Sequence, residues 1–326
     1  MRILVRGAGV AGLTAALELS RRGLPVTVAE TSPAPAGSAS WFAGGMLAPW
    51  CERESAEEAV LTLGRDAADW WDEALPGEVR RNGTLVVAPA RDSAELKRFA
   101  ARTSGYEWLD GDGVAALEPA LAGRFRQALF FPQEAHLDPR KALGGLREAL
   151  AGQNVRFVRD EQPGFDLVVD CTGAVQIGRL DNLRGVRGEM LYLGTEELSL
   201  SRPVRLLHPR IPLYIVPRGR GLFMCGATMI ETDERGPIAA RSLMELLNAA
   251  YALHPAFAEA RVVETGTGIR PAFPDNLPKV IRKEKTIFIN GLYRHGFLLS
   301  PALAREAAAL ALEGRHSMET INEAYD

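Results

Sequence analysis

Gly7-Ala8-Gly9-Val10-Ala11-Gly12 places three glycines at the spacing G-x-G-x-x-G, directly after the apolar run Ile3-Leu4-Val5. In that setting the first glycine makes a tight turn and the second lets a pyrophosphate approach the backbone. The third lets a helix lie close to a strand. The helix that the turn opens offers N–H groups and a positive dipole end to phosphate, so Gly7, Gly9, Val10, Ala11 and Gly12 form a candidate dinucleotide site. Glu30 closes the next apolar run, where a carboxylate accepts hydrogen bonds from ribose hydroxyls. The competing readings are a glycine turn that only packs and a solvated strand end. A later run, Val169-Asp170-Cys171-Thr172-Gly173, ends in small residues. Cys171, Thr172 and Gly173 can hold the pyrophosphate from its other side, unless they are an ordinary strand exit.

The elements that must position these residues follow from pattern. Val10 to Arg22 reads as a helix stopped by Gly23, and Val26 to Ala29 as a second strand, completing a βαβ unit. Residues 31 to 45, rich in Ala, Ser, Pro and Gly, read as a loop. Glu54 to Leu75 reads as one helix with Trp70 and Trp71 near its end. Thr84 to Ala88 reads as a strand and Ser93 to Thr103 as a helix. Asp138-Pro139 reads as an N-cap followed by proline at the first helical position, opening a helix to about Ala151. Val155 to Val158 and Asp166 to Asp170 read as strands. Residues 188 to 226 read as an antiparallel sheet, and Ala239 to Leu253 as a helix. Thr286 to Asn290 reads as a last buried strand, and Ser300-Pro301 as the start of a terminal helix to about Leu312. Strands alternate with helices at both ends, while the middle is rich in strands. The expected fold class is therefore α/β: a Rossmann-type nucleotide-binding domain with an interleaved antiparallel-sheet domain. The expected division is 1–78, 134–186 and 271–326 for the nucleotide domain, with 79–133 and 187–270 for the substrate domain.

Composition narrows the function classes. The chain has 326 residues, a net charge of −3, 47% hydrophobic and 24% charged residues. That supports two domains with a large core and argues against disorder. No Lys/Arg-rich run points to nucleic acid or an anionic membrane. Cys51, Cys171 and Cys225 show no CxxC spacing, and the five histidines show no paired spacing. Neither a metal site nor a disulfide framework is expected. The strand pattern at Arg2-Ile3-Leu4-Val5 leaves no room for a leader before it, and no apolar run spans a bilayer, so a cytoplasmic location is expected.

Five further segments carry a resemblance. They are Ala43-Gly44-Gly45-Met46-Leu47-Ala48-Pro49, Ala135-His136-Leu137-Asp138-Pro139-Arg140, Tyr214-Ile215-Val216-Pro217-Arg218, Gly266-Thr267-Gly268-Ile269-Arg270-Pro271 and Gly291-Leu292-Tyr293-Arg294-His295-Gly296-Phe297-Leu298-Leu299-Ser300-Pro301. In order and spacing the chain resembles the D-amino-acid oxidase-like family of FAD enzymes, and within it the glycine oxidases of thiamine biosynthesis. The resemblance implies FAD and oxidation of a small amino acid, glycine, to its imine. Oxygen accepts the electrons and hydrogen peroxide forms. It also implies service to the thiazole synthase machinery, and leaves a homo-oligomer open. A D-amino-acid or secondary-amine oxidase of the same fold is the alternative, and a flavin-binding protein without turnover a further one.

Carried over by position, Arg270 binds the substrate carboxylate, Tyr214 lies beside it, and Arg294 stands at the pocket mouth. Met46 and Met229 line the pocket. FAD is expected to meet Thr31, Ser38, Ser40, Trp41, Gly45, Met46 and Val158, besides the glycine turn and Cys171–Gly173. Arg270, Arg294, Gly296, Phe297, Leu298 and Leu299 complete the set. The sequence departs from the family pattern in the short stretch between Val158 and Asp166, at Val175, and at Leu292 and His295. The chemistry agrees with the assignment of Arg270. Taking hydride from an amino acid's α-carbon needs orientation, and a planar guanidinium clamps a carboxylate through two bonds. A structural ion pair is the alternative for Arg270, and more so for Arg294. Tyr214 serves equally as a hydroxyl donor or as a core cap, and Met46 and Met229 as core filler. Backbone N–H groups from Gly296 to Leu299 are expected to converge ahead of a helix starting at Ser300.

Overall fold

In a computed structural model of the chain, the described residues are 1–30, 38–161, 163–207 and 213–323, with side chains described up to residue 313. Thr31 lies outside them. Two large sheets organise the molecule. The six-stranded sheet runs in the order Lys279–Lys283, Thr286–Asn290, Leu167–Asp170, Ile3–Arg6, Val26–Ala29, Arg156–Val158. All neighbours are parallel except the hairpin of Lys279–Lys283 with Thr286–Asn290. Short runs of Val, Ile and Leu, buried on both faces, suit such a sheet. Ile3–Arg6 lies inside it, with Ile3 paired to Val26 on one side and Leu167 on the other.

The eight-stranded sheet runs Arg261–Ala272, Arg184–Gly194, Leu222–Gly226, Leu213–Pro217, Val204–Leu206, Thr84–Val87, Gln127–Phe131, Glu107–Asp110. It is antiparallel except where Val204–Leu206 lies beside Thr84–Val87. A two-stranded ribbon, Met46–Leu47 with Ala135–His136, stands apart from both sheets. The α/β class and the split into parallel and antiparallel sheets are as expected. The expected boundaries at 186/187 and 270/271 fall within the continuous strands Arg184–Gly194 and Arg261–Ala272.

The helix Val10–Arg21 begins where the glycine turn ends, and Gly23 follows it with φ 75°. The helix Pro139–Gly152 has the expected cap, with the Asp138 side chain accepting from the N–H groups of Arg140 and Lys141. Two expectations are corrected. The single helix over Glu54–Leu75 is instead Pro49–Glu52, Glu58–Gly64 and Ala67–Ala74. A Cβ on Gly64 would stand 2.7 Å from Leu298 Cγ. The chain turns after that residue while both later pieces pack on the last helix.

That last helix starts at Gly296, not Ser300, and runs to Glu323 with Pro301 inside it. Proline has no N–H for the carbonyl four residues earlier, which is Phe297. Trp71 Nε1 donates to that carbonyl at 2.8 Å, so the helix passes through the proline with its orphaned acceptor satisfied. Trp70 Nε1 donates at 2.7 Å to Glu18 in the first helix. The two tryptophans thus tie the broken helical segment to both helices that flank the nucleotide turn.

Candidate active site

The glycine turn is shaped by what its glycines must not carry. Gly7 has φ +92°, and a Cβ there would lie 2.8 Å from the Cys171 carbonyl oxygen. A Cβ on Gly12 would sit 1.8 Å from the Gly7 carbonyl oxygen. The first strand's loop, the helix start and the Cys171–Gly173 loop therefore close on each other through backbone. Ser40 Oγ accepts from Val10 N–H at 3.1 Å. Asp170, nearly buried, orders the second loop by accepting from the Thr172 N–H (3.1 Å) and hydroxyl (2.7 Å). Asn290 Nδ2 ties it to the last strand by donating to the Gly173 carbonyl at 3.0 Å. Glu30 lies at the end of the second strand, its N–H held by the Val158 carbonyl at 2.9 Å. Arg147 reaches Glu30 Oε2 at 2.7 Å, orienting the carboxylate.

A cavity of about 830 Å³ runs from this turn to the eight-stranded sheet. Gly7, Gly9, Val10, Ala11, Glu30, Ser38, Ser40, Gly45, Met46, Cys171, Thr172 and Gly173 line it. So do Tyr214, Met229, Arg270, Arg294, Gly296, Phe297 and Leu298. The structure thus brings most of the expected residues to one space. Four stand behind the wall. Gly12 packs in the turn, and Val158 offers only its carbonyl to Glu30. Trp41 stacks under the Arg140 guanidinium at 4.6 Å. Leu299 spends its N–H on the His295 carbonyl at 2.8 Å. The expected set of converging donors therefore shrinks to Gly296, Phe297 and Leu298, the first helical positions, which have no acceptor within the helix.

At the far end Arg270 lies across the neighbouring strand. A Cβ on Gly188 would stand 2.2 Å from its Nη2, so only glycine leaves room for the guanidinium. Nη1 donates to the Thr228 carbonyl at 3.0 Å. Among the described residues no carboxylate pairs with Arg270. One side of it opens on the cavity, yet burial pushes its pKa below the ordinary value, and Arg294 adds to this against Tyr214. The guanidinium is held in place and short of an anion. Tyr214 stands close by, its ring between Gly44 and Gly226, where Cβ atoms would approach to 2.7 and 3.1 Å. Burial raises its pKa, opposed first by Arg270. Arg218 fixes the loop in front by donating to the Gly44 carbonyl at 2.8 Å.

Arg294 is placed differently. Its Nη2 donates to Glu52 Oε2 at 2.8 Å and Ser55 Oγ at 3.0 Å, and its Nη1 lies 3.5 Å from Met229 sulfur. Arg205 binds the other oxygen of Glu52. Burial works against the Glu52 charge, but Arg205, Arg294 and His295 outweigh it and hold its pKa well below the usual carboxylate range. His295 Nδ1 is 3.5 Å from Glu52, and burial drops its pKa to about 4 despite that neighbour. Behind Glu52, Glu134 accepts from Cys51 N–H at 2.7 Å. Burial lifts Glu134 to about pKa 7, opposed by that bond and by Thr84. Thr84 Oγ1 and Glu134 Oε2 are both buried without a hydrogen-bond partner among the described residues.

Sequence reading missed Glu52, Arg205, Gly188, Asp170 and Asn290. Glu52 stands just after the Ala43–Pro49 segment, Asp170 inside the Val169–Gly173 run and Asn290 just before the Gly291–Pro301 segment, while nothing nearby singled out Arg205 or Gly188. The residues present fit FAD. The turn has backbone where side chains would intrude, Glu30 suits a ribose, and the volume lies within the range of about 300–1,000 Å³ usual for ligand pockets. No helix of the described residues is long and apolar enough to cross a membrane, and none of their His, Cys, Asp and Glu form a metal-holding group.

Comparison with known proteins agrees. A family model described as FAD dependent oxidoreductase matches residues 2–310. The chain is 67% identical over 312 residues to a Rhizobium etli protein provisionally assigned as the thiamine biosynthesis oxidoreductase ThiO, covering 94% of this chain and 95% of that one. It is 26% identical over 350 residues to a bifunctional ThiO/ThiG protein of Synechocystis, covering 97% of this chain but only 52% of that one, about half its length. Among solved structures, iminodiacetate oxidase from Chelativorans superposes with TM-score 0.81 at 22% identity, over 96% of this chain and 95% of that one. Glycine oxidase from Bacillus cereus superposes with TM-score 0.79 at 23% identity, over the same shares, 96% and 95%. These two show the shared fold. The chain belongs to the D-amino-acid oxidase (DAO) family of FAD-dependent oxidoreductases.

Proposed function

We propose that the protein is a glycine oxidase of thiamine biosynthesis, taking hydride from glycine to give its imine, with oxygen as acceptor and hydrogen peroxide as product. The observation that carries this reading is Arg270, a closed-in guanidinium without a carboxylate partner, facing the cavity beside Tyr214. Glycine has two polar handles, and its amine must be neutral to release hydride. The carboxylate is then the ionic anchor, and a pre-placed guanidinium is its complement. Arg270 binds the carboxylate, Tyr214 donates to it, and Met46 and Met229 close the apolar sides. Bound FAD supplies the two-electron acceptor. Glu30 and the glycine turn hold it at one end of the cavity, and the N–H groups of Gly296, Phe297 and Leu298 offer donors for negative charge.

The role in thiamine biosynthesis is supported by the 67% identical relative. A partnership with the thiazole synthase machinery is favoured by the bifunctional ThiO/ThiG relative, about half of whose length this chain matches. A cytoplasmic setting suits such a role. The test is anaerobic mixing of the yellow holoenzyme with glycine, sarcosine, D-alanine and iminodiacetate. Fast bleaching by glycine ahead of the others, then peroxide on admitting air, is the expected result. Bleaching by D-alanine or sarcosine with glycine inert would move the assignment to a different amine within the family.

A further inference from the structure

Three guanidiniums stand at the substrate end of the cavity, and one carboxylate serves two of them. Arg205 comes from the strand Val204–Leu206, Arg294 from the loop before the last helix, and Glu52 from the end of the short helix Pro49–Glu52. Arg294 Nη2 is 2.8 Å from Glu52 Oε2 and 3.0 Å from Ser55 Oγ, while Arg205 holds Oε1. Glu52 is only 8% exposed. Arg294 Nε, also buried, has no acceptor among the described residues, so the cluster holds more donors than Glu52 uses. Two convergent guanidiniums with a hydroxyl are what a site uses to bind a ligand's carboxylate. All of these groups line the cavity that Arg270 faces.

We propose that Arg205, Arg294 and Ser55 form a second carboxylate seat, that Glu52 occupies it, and that this self-occupation confines the pocket to substrates with one carboxylate. The inference rests on the reading of Arg270 as the first seat. A ligand bound there that carries a second carboxylate finds the matching donors engaged and meets the charge of Glu52 itself. Among the described residues no other carboxylate hydrogen-bonds these two arginines, and Glu134 acts on Arg205 through its charge alone. Glu54 is drawn away to Arg102 at 3.5 Å, Glu134 faces the Cys51 N–H, and His295 is neutral near pH 7. One carboxylate thus engages both inner arginines, and Arg270 is left for the substrate.

The experiment is calorimetric titration of the holoenzyme with glycolate, which has one carboxylate and no amine, and with dicarboxylates of increasing length from diglycolate to glutarate. The parent should prefer glycolate to every dicarboxylate. Glu52→Ala vacates the seat, and the ratio of dicarboxylate to glycolate affinity should rise by about tenfold or more for the best-fitting length. Formate should raise the melting temperature of Glu52→Ala by more than that of the parent, whose Arg270 seat also takes it. Glu52→Gln, which keeps the seat filled, should show neither effect. A parent that binds a dicarboxylate more tightly than glycolate overturns the proposal, whether or not any variant folds. A folded Glu52→Ala protein with no gain for dicarboxylates and no larger response to formate than the parent overturns it as well. Glycolate binding indifferent to Arg270→Ala overturns the proposed function instead, because the first seat is then elsewhere.

Discussion

The two ends of the cavity are built by opposite means. At the nucleotide end the walls are backbone: the turn of Gly7–Gly12, the Cys171–Gly173 loop and the first turn of the last helix. Contacts there are set by the absence of side chains, as the 1.8 Å approach of a Gly12 Cβ to Gly7 shows. At the substrate end the walls are charged side chains from separate segments: Arg270, held by the Thr228 carbonyl, and Arg205 and Arg294, both held by Glu52. A backbone site is specific for shape and insensitive to pH. A side-chain site is specific for charge and carries the cost of burying it.

The sharpest way to break this contrast is to remove Arg270. Arg270→Ala should cost glycine binding about 3–5 kcal/mol, because the substrate carboxylate would be left buried without a counter-charge. FAD content should be unchanged, since the residue belongs to the other end. Anaerobic reduction by glycine, with flavin absorbance of the isolated protein as control, measures both. Loss of FAD in this variant would mean that the two ends are not separable.

A second difference is pH. Glu134, behind Glu52, has a folded pKa raised by burial to about 7 from 4.5. An acid with a raised folded pKa favours the folded state below its unfolded pKa. That stability is lost as pH climbs towards the folded pKa, because the folded protein binds the proton that the unfolded chain releases. Glu134→Gln removes the titration and keeps an acceptor for the Cys51 N–H. The variant should therefore gain on the parent from about pH 4.5 to 7, by roughly 3 to 3.5 kcal/mol, and no further above that. Chemical denaturation across that range checks it, and a constant difference between the two proteins would remove Glu134 as the cause.

The smallest expected effect is at the nucleotide end. Glu30→Gln should weaken FAD binding by about 1.5–3 kcal/mol, the worth of a charge-assisted hydrogen bond, with substrate affinity of the reconstituted enzyme unchanged. Flavin fluorescence during reconstitution reads it. Equal FAD affinity in the variant would leave Arg147 as the sole function of the Glu30 carboxylate.

The same contrast explains what was legible in the sequence. The glycine turn, the strands beside it and Glu30 are local, since each is specified within one βαβ unit. The Asp138-Pro139 cap was readable for the same reason. Arg270 and Tyr214 were reached through motif resemblance, and periodicity gave no hint of them. The Glu52–Arg205 pair joins residues far apart in the chain, and only the packing of separate segments brings them together. The start of the last helix was misplaced because proline ordinarily marks a first turn. Here a tryptophan from a distant segment supplies the donor that proline lacks.

The interior place of Ile3–Arg6 in its sheet bears on the order in which the protein can be made. Ile3–Arg6 is followed closely in sequence by its neighbour Val26–Ala29, but its other edge waits for Leu167–Asp170, and that strand waits in turn for Thr286–Asn290. The cofactor site is thus completed only by segments far along the sequence from the glycine turn. During that interval an apolar strand edge stays open to pairing with other chains, a hazard that long-range parallel pairing carries in general.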